Sequence, residues 1–271
     1  MVITYSVRKC DKETLIKIRG FAEDEIAQRA GVFDIRGYID KKIIEKSIEL
    51  IVESNCLEEA LKIISYQSPS LGLVISNILV TNEFFDQDSI STVAILEKGI
   101  RNMDDLSTRI AKGNIKGQKF PAIGAFYAER IFVLAREGKK LVFAEVDKND
   151  VRIINERLLG LRGATFLIQL NSPYLKTLEI PFNEVIKRLY EYMSVVLESA
   201  KRRILDEISL AKGEETPLQS NVIDLKKVIE EVIKIEPYFL AHGSRLELFI
   251  RDALTLSSLI SFLKIINIVS H

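Results

Sequence analysis

The chain has no tryptophan, three methionines, two cysteines and two histidines among its 271 residues. With only His242 and the terminal His271, a histidine-rich metal site is excluded. Cys10 and Cys56 lie far apart and form no Cys-x-x-Cys, which argues against both a disulfide framework and a zinc knuckle. Net charge is also missing: 38 basic residues balance 38 acidic ones. Nucleic acid or a membrane surface would therefore have to be held by a local patch, because the whole molecule offers no attraction. Glycine is scarce, at 13 residues, and no phosphate-cradling loop, dinucleotide fingerprint, nucleophile elbow or zincin helix occurs. ATPase, dinucleotide enzyme, serine hydrolase and zinc protease are disfavoured, and no nucleotide cofactor is expected. The opening MVITYSVRKCDKE lacks a signal-peptide pattern. The most apolar tract, Leu259–Val269, is too short to span a bilayer and carries Lys264. A cytoplasmic location with no membrane contact is expected.

Apolar residues are plentiful, at 47%, so a sizeable core can form. The many isoleucines and the Lys, Glu and Arg content suit a thermophile interior. Lys12–Ala30 reads as helical. Asp40 is placed to cap a helix from Lys41, with Ile43, Ile44, Ile48, Ile51 and Val52 on one face. The same pattern runs on through Leu57, Leu61 and Ile64 until Pro69 and Gly72 break it. Leu71–Phe85 is compatible with a buried helix or a strand pair. Short helices are expected at Ser91–Gly99 and Met103–Ala111, and a longer one at Phe120–Glu137, closed by Gly138. Lys139–Leu170 reads as strand, helix (Lys148–Leu161) and strand, with the strands as parallel neighbours. Leu175–Ile180 is a further strand. Asn183 opens a long helix toward Lys212, Gly213–Asn221 is a linker, and Leu225–Ile235 and Ser244–Ser258 are amphipathic helices. The fold class expected is α/β and helix-rich, with a small, mainly parallel sheet. Residues 1–70 and 183–271 form helical N- and C-terminal segments around an α/β core at 71–182.

Three sets of residues could carry chemistry. Glu145 and Asp147 are two apart on a strand and face the same way, with Asp150 on the following turn. Converging carboxylates can hold Mg2+ or Mn2+ and activate a water. The same residues equally suit the start of a helix. His242, beside Arg245 in a turn bounded by proline and glycine, is the candidate acid or base. Arg109, Lys112, Lys116 and Lys119 form a basic run that could contact DNA. The order of elements from Ile90 to Val142 matches a winged-helix module, although its recognition helix would be mostly apolar. Lys201, Arg202 and Arg203 form a second basic group, usually a solvated helix face.

Three segments resemble the NurA-type archaeal nucleases: LAREGKKLVFAEVDK at Leu134–Lys148, SPYLKTLEIP at Ser172–Pro181 and EPYFLAH at Glu236–His242. The resemblance covers roughly the distal half and implies an RNase H-like core and nucleic-acid processing. The family's Asp-Gly-Ser strand is missing, so only His242 carries over with a matching motif. Three readings stay open at this point: a metal-dependent nuclease or its catalytically reduced relative, a non-enzymatic interaction or scaffold subunit that assembles through helical faces, and a winged-helix DNA binder.

Overall fold

The computed structural model describes residues 10–212 and 246–269, apart from positions 88, 101 and 157. The chain opens with helices α1 (Lys12–Phe21) and α2 (Ala27–Arg36), joined by a π-helical segment at Ala22–Ile26. Helices α3 (Lys41–Ser54), α4 (Leu57–Gln67) and α5 (Pro69–Phe85) follow. Three of the starts, those of α1, α3 and α5, have a local cause in a side-chain cap. Asp11 accepts from the Glu13 N–H and Asp40 from the Lys42 N–H, so both side chains satisfy donors that a helix leaves open. Pro69 opens α5 instead of ending a helix: Ser68 accepts from the Leu71 N–H, and a proline costs nothing in a first turn. Helix α5 is buried along most of its length, as an all-round apolar sequence requires.

Eight strands form one sheet: β1 (Ser91–Ala94), β2 (Arg109–Ala111), β3 (Asn114–Ile123), β4 (Arg130–Glu137), β5 (Lys140–Asp147), β6 (Arg152–Ile154), β7 (Thr165–Pro173) and β8 (Lys176–Leu178). The order is β6-β7-β3-β2-β4-β5-β8, with β1 beside the first half of β4. Only β1–β4 and β2–β4 are parallel; the other five pairings are antiparallel. Strand β4 is apolar at successive positions because both its faces are covered. Phe132 and Leu134 enter the large core shared with the helices, while Ile131, Val133 and Ala135 enter a smaller core on the opposite face. Two long helices, α6 (Phe182–Lys212) and α7 (Leu246–Val269), pack on each other and complete the helical layer. No helix among the described residues is long and apolar enough to cross a membrane.

The α/β, helix-rich expectation holds, but the mainly parallel, RNase H-like sheet does not. The unit at Lys139–Leu170 contains no crossover helix: Lys148–Asp150 is one 3-10 turn and Arg152–Ile154 is a strand antiparallel to β7. Phe120–Glu137 is the end of β3, a turn and then β4, so no recognition helix exists. Ser91–Gly99 begins with β1, and Met103–Ala111 is a 3-10 turn and β2. Leu225–Ile235, the linker at 213–221 and His242 lie outside the described residues.

Cys10 and Cys56 are joined, against the expectation from spacing; their Cα atoms are 5.1 Å apart across a separation of 46 residues. The bridge ties the start of α1 to the α3–α4 junction, where the Asp11 N–H also donates to the Ser54 carbonyl at 3.0 Å. Reduction, or Cys56→Ser, is expected to cost about 2–4 kcal/mol by freeing that loop in the unfolded chain. Urea unfolding with and without reductant measures it, and a midpoint insensitive to reductant would count against the bridge.

Candidate functional site

A cleft of about 910 Å3 lies where the N-terminal helices meet the ends of β3, β4 and β5. Helix α2 stops at Gly37, whose positive φ of 73° turns the chain toward the sheet. Tyr38 then runs beside Gly163, where a Cβ would meet Tyr38 backbone at 3.1 Å, so glycine is required for the approach. The Tyr127 hydroxyl locks the junction: it accepts from the Ile39 N–H and donates to the Gly163 carbonyl, both at 2.6 Å. Burial pushes its hydroxyl above the ordinary tyrosine range. Tyr127 is therefore a structural hinge pin, and the cleft's open face is left to its neighbours.

Those neighbours are aromatic and charged. Phe126 stacks on Phe166 with centroids 5.5 Å apart and remains 45% exposed; Tyr38 is 43% exposed. Lys148 lies 5.0 Å from the Phe126 ring and donates to the Phe126 carbonyl, and Arg36 sits 5.9 Å from the Tyr38 ring. Arg29, Arg36, Lys41, Arg130 and Lys148 face three carboxylates, Asp40, Glu129 and Asp147, so the rim is net cationic. Asp147 is held below its usual range by the Asn149 N–H and then by Arg130. Burial, reinforced by Lys41, lowers Lys148. Glu129 is 57% exposed and pairs with Lys41 at 3.4 Å. Arg36 makes no carboxylate contact among the described residues; its nearest polar partner is the Tyr38 hydroxyl at 3.5 Å. By contrast, the seam between the sheet and helices α6 and α7 encloses only about 10 Å3, plugged by Pro121, Leu189, Met193, Leu259 and Leu263.

The residues expected from sequence are dispersed. Glu145 is 7% exposed on β5, paired with Arg130 at 3.5 Å and Lys176 at 3.3 Å. Asp147 caps the 3-10 turn, and Asp150 is exposed within it. Two of the three carboxylates are thus neutralised by cations, and no group of three His, Cys, Asp or Glu poised for a metal exists among the described residues. Arg109, Lys112 and Lys116 are exposed on the β2–β3 hairpin, where Arg109 and Lys116 are cross-strand partners. Lys119 leaves that patch altogether: its side chain is fully buried against Glu97. Lys201, Arg202 and Arg203 pair along α6 with Glu198, Asp206 and Glu207, but they are not a solvated face: Lys201 is largely buried and Arg203 packs on the Tyr66 and Phe249 rings. The spacing of GAFYAER suits a helix interior, which hides the cleft; Gly124 inside that apolar run is the signal of a break.

No family model matches the chain, and no curated protein matches it in sequence. Solved structures do match in fold. A glutaryl-coenzyme A dehydrogenase in its glutaryl-CoA complex is similar over 96% of this chain and 95% of its own, with TM-score 0.72 and 11% identity. An acyl-CoA dehydrogenase from Geobacillus kaustophilus aligns over 96% and 87%, with TM-score 0.65 and 12% identity. XiaF from Streptomyces, in complex with FADH2 and glycerol, aligns over 94% and 76%, with TM-score 0.56 and 11% identity. At such identities the likeness is one of fold. It overturns the resemblance to NurA-type nucleases, and with it the nuclease, scaffold and winged-helix readings. The expectation of Mg2+ or Mn2+ with no nucleotide cofactor falls with them, since one structure of this fold holds FADH2.

Proposed function

We propose that the protein is a flavin-dependent oxidoreductase of the acyl-CoA dehydrogenase type, with the cleft as its flavin-nucleotide site. The cleft's donor set carries this reading. A flavin nucleotide combines a flat ring system with phosphates, and the cleft offers two half-exposed aromatic faces beside a net cationic rim. Its volume of about 910 Å3 is in the range that encloses a ligand of that class. The plugged seam offers no comparable space.

A bound flavin would supply a two-electron acceptor for hydride. The protein's own groups would do the rest. Phe126 and Tyr38 would present their faces to the ring, Phe126 being braced from behind by Phe166. Arg36 is the cation most available to a phosphate, because no carboxylate among the described residues competes for it. Arg130 is pre-set by Asp147 and serves as a fixed positive charge. Asp147 stays ionised and Asp40 is spent on capping α3, so neither is suited to move a proton. Glu129, exposed and held among the described residues only by Lys41 at 3.4 Å, would take the substrate proton. A coenzyme A thioester is the first substrate to try, following the complex of the glutaryl-CoA dehydrogenase neighbour.

Titrating FAD into the purified chain, read by flavin fluorescence, tests the site. Arg36→Ala is expected to weaken binding about tenfold or more, the loss of one charge-assisted contact. Phe126→Ala should weaken it by a few-fold, about 0.5–1.5 kcal/mol of stacking. Glu129→Gln should leave flavin affinity intact and cut thioester oxidation about a hundredfold. No flavin binding by the folded wild-type chain would end the reading.

A further inference from the structure

A second cavity, of about 490 Å3, lies on the helical side of the molecule between α1, α4 and α6. Its apolar walls are Ala22, Ile63 and the Tyr66 ring. The Tyr66 hydroxyl is turned away to Asp206 at 2.8 Å, so the ring contributes its face to the wall and its polar end elsewhere. Ala22 begins the π-helical segment, a widened turn that recurs at functional positions.

Gln67 gives this cavity a polar feature that packing does not explain. It is the last residue of α4, is only 9% exposed, borders the cavity, and its amide has no hydrogen-bond partner among the described residues. Its amide carries two donors and an acceptor that the fold leaves open to whatever fills the cavity. At the rim stands Arg19, exposed and without a carboxylate within salt-bridge distance among the described residues. The other lining cations are engaged: Lys62 with Glu58 at 2.5 Å and Arg202 with Asp206 at 3.0 Å. Of the lining carboxylates, Glu198 is held by Lys201 at 2.8 Å, and Glu23 adds one negative charge to the rim.

We infer that this cavity is a second ligand site, separate from the cleft, for an aliphatic monocarboxylate. The chain of the ligand would lie along Ala22, Ile63 and Tyr66. Its carboxylate would accept from the Gln67 amide and from Arg19. A cation could pair only with Glu23 and would leave Arg19 and the two Gln67 donors unused, and a neutral alcohol recovers only part of the pairing. The inference does not depend on flavin in the cleft.

Calorimetric titration of the full chain with decanoate, decan-1-ol and decylamine, each below its micelle concentration, tests it. Decanoate is expected to bind at least about tenfold more tightly than the alcohol, with the amine weaker still. Gln67→Leu, which keeps the volume and removes the amide, should abolish that preference. Arg19→Glu, at an exposed position, should reverse the order of decanoate and decylamine. Equal binding of acid and alcohol would overturn the carboxylate assignment. No decanoate binding, or binding unchanged in both variants, would overturn the site.

Discussion

Replacing Lys119 with methionine is expected to lower stability by about 3–5 kcal/mol. The reason is the environment of Glu97. Its carboxylate accepts from Lys119 Nζ at 2.8 Å, the Ser107 N–H at 2.8 Å, the Ser107 hydroxyl at 2.6 Å and the Thr108 N–H at 2.9 Å. Lys119 also donates to the Ile95 carbonyl at 3.1 Å. Burial alone would push Glu97 up, but Lys119 and the loop donors hold it down at about 2, so it is ionised wherever the protein is folded. Burial pulls Lys119 down to about 8, against the pull of Glu97, and it stays charged at neutral pH. Methionine fills the space and leaves a buried carboxylate without its counter-charge. The loop from Glu97 to Thr108, which delivers β2 to the sheet, is the segment that would loosen. Gly117 packs so closely there that a Cβ would meet the Thr108 hydroxyl at 2.4 Å. Urea unfolding should show a lower midpoint at unchanged slope. Adding Glu97→Gln to the methionine variant should recover part of the loss, because the uncompensated charge is then gone. An unchanged midpoint for Lys119→Met would show that the pair contributes nothing.

Lys119 also shows what was legible in the sequence. Read as a loop residue after Lys112 and Lys116, it joins a basic patch. Read as a strand residue, it falls in step with Ile115 and Gly117, and period-two alternation puts it on the buried face. The period of the segment decides where the lysine goes. Ile123, Tyr127, Ile131 and Leu134 likewise fit a helical stripe, but the same run also fits two strands broken at Gly124. Gly138 does have positive φ, at 61°, but in a hairpin turn between β4 and β5 and not after a helix. Helices with a capping carboxylate and a one-sided apolar stripe, such as α3 from Asp40, were readable because both signals are local. The Cys10–Cys56 bridge and the cleft depend on contacts between distant segments, such as Tyr127 with Ile39 at a separation of 88 residues, and no local spacing encodes them.

The second large effect is a pH dependence centred on Asp252 of α7, which is 1% exposed. It accepts from the Leu161 N–H at 2.6 Å and from the Ser70 hydroxyl at 3.2 Å, so it joins α7 to α5 and to the turn before β7. Around it, Arg251 donates to Asp34 at 2.9 Å and to the Leu159 carbonyl at 3.1 Å, Arg162 approaches Asp34 at 3.8 Å, and Gly160 donates to the Thr255 hydroxyl at 3.0 Å. Burial pushes the Asp252 carboxyl up to about 7; Leu161 and Ser70 oppose this, the nearby Asp34 charge adds to it, and Arg251 offsets it. In the unfolded chain the group titrates near an ordinary aspartate, about 4. Between about pH 4 and 7 the folded protein therefore holds a proton that the unfolded chain releases, and folding weakens as pH rises, by up to about 1.4 kcal/mol per pH unit. The contribution is fully present below the unfolded value and is lost as pH passes the folded one. Glu97 acts in the opposite sense and at lower pH: its contribution is lost as pH falls toward about 2, so the two windows meet only around pH 4. Asp252→Asn keeps an acceptor for Leu161 and can donate to Ser70, but it does not titrate. Urea midpoints measured from acid to neutral pH should slope downward for the wild-type chain and flatten across that range for the variant. Parallel slopes in the two proteins would place the pH dependence elsewhere, and would mean that Asp252 is ionised in the fold and balanced by Arg251.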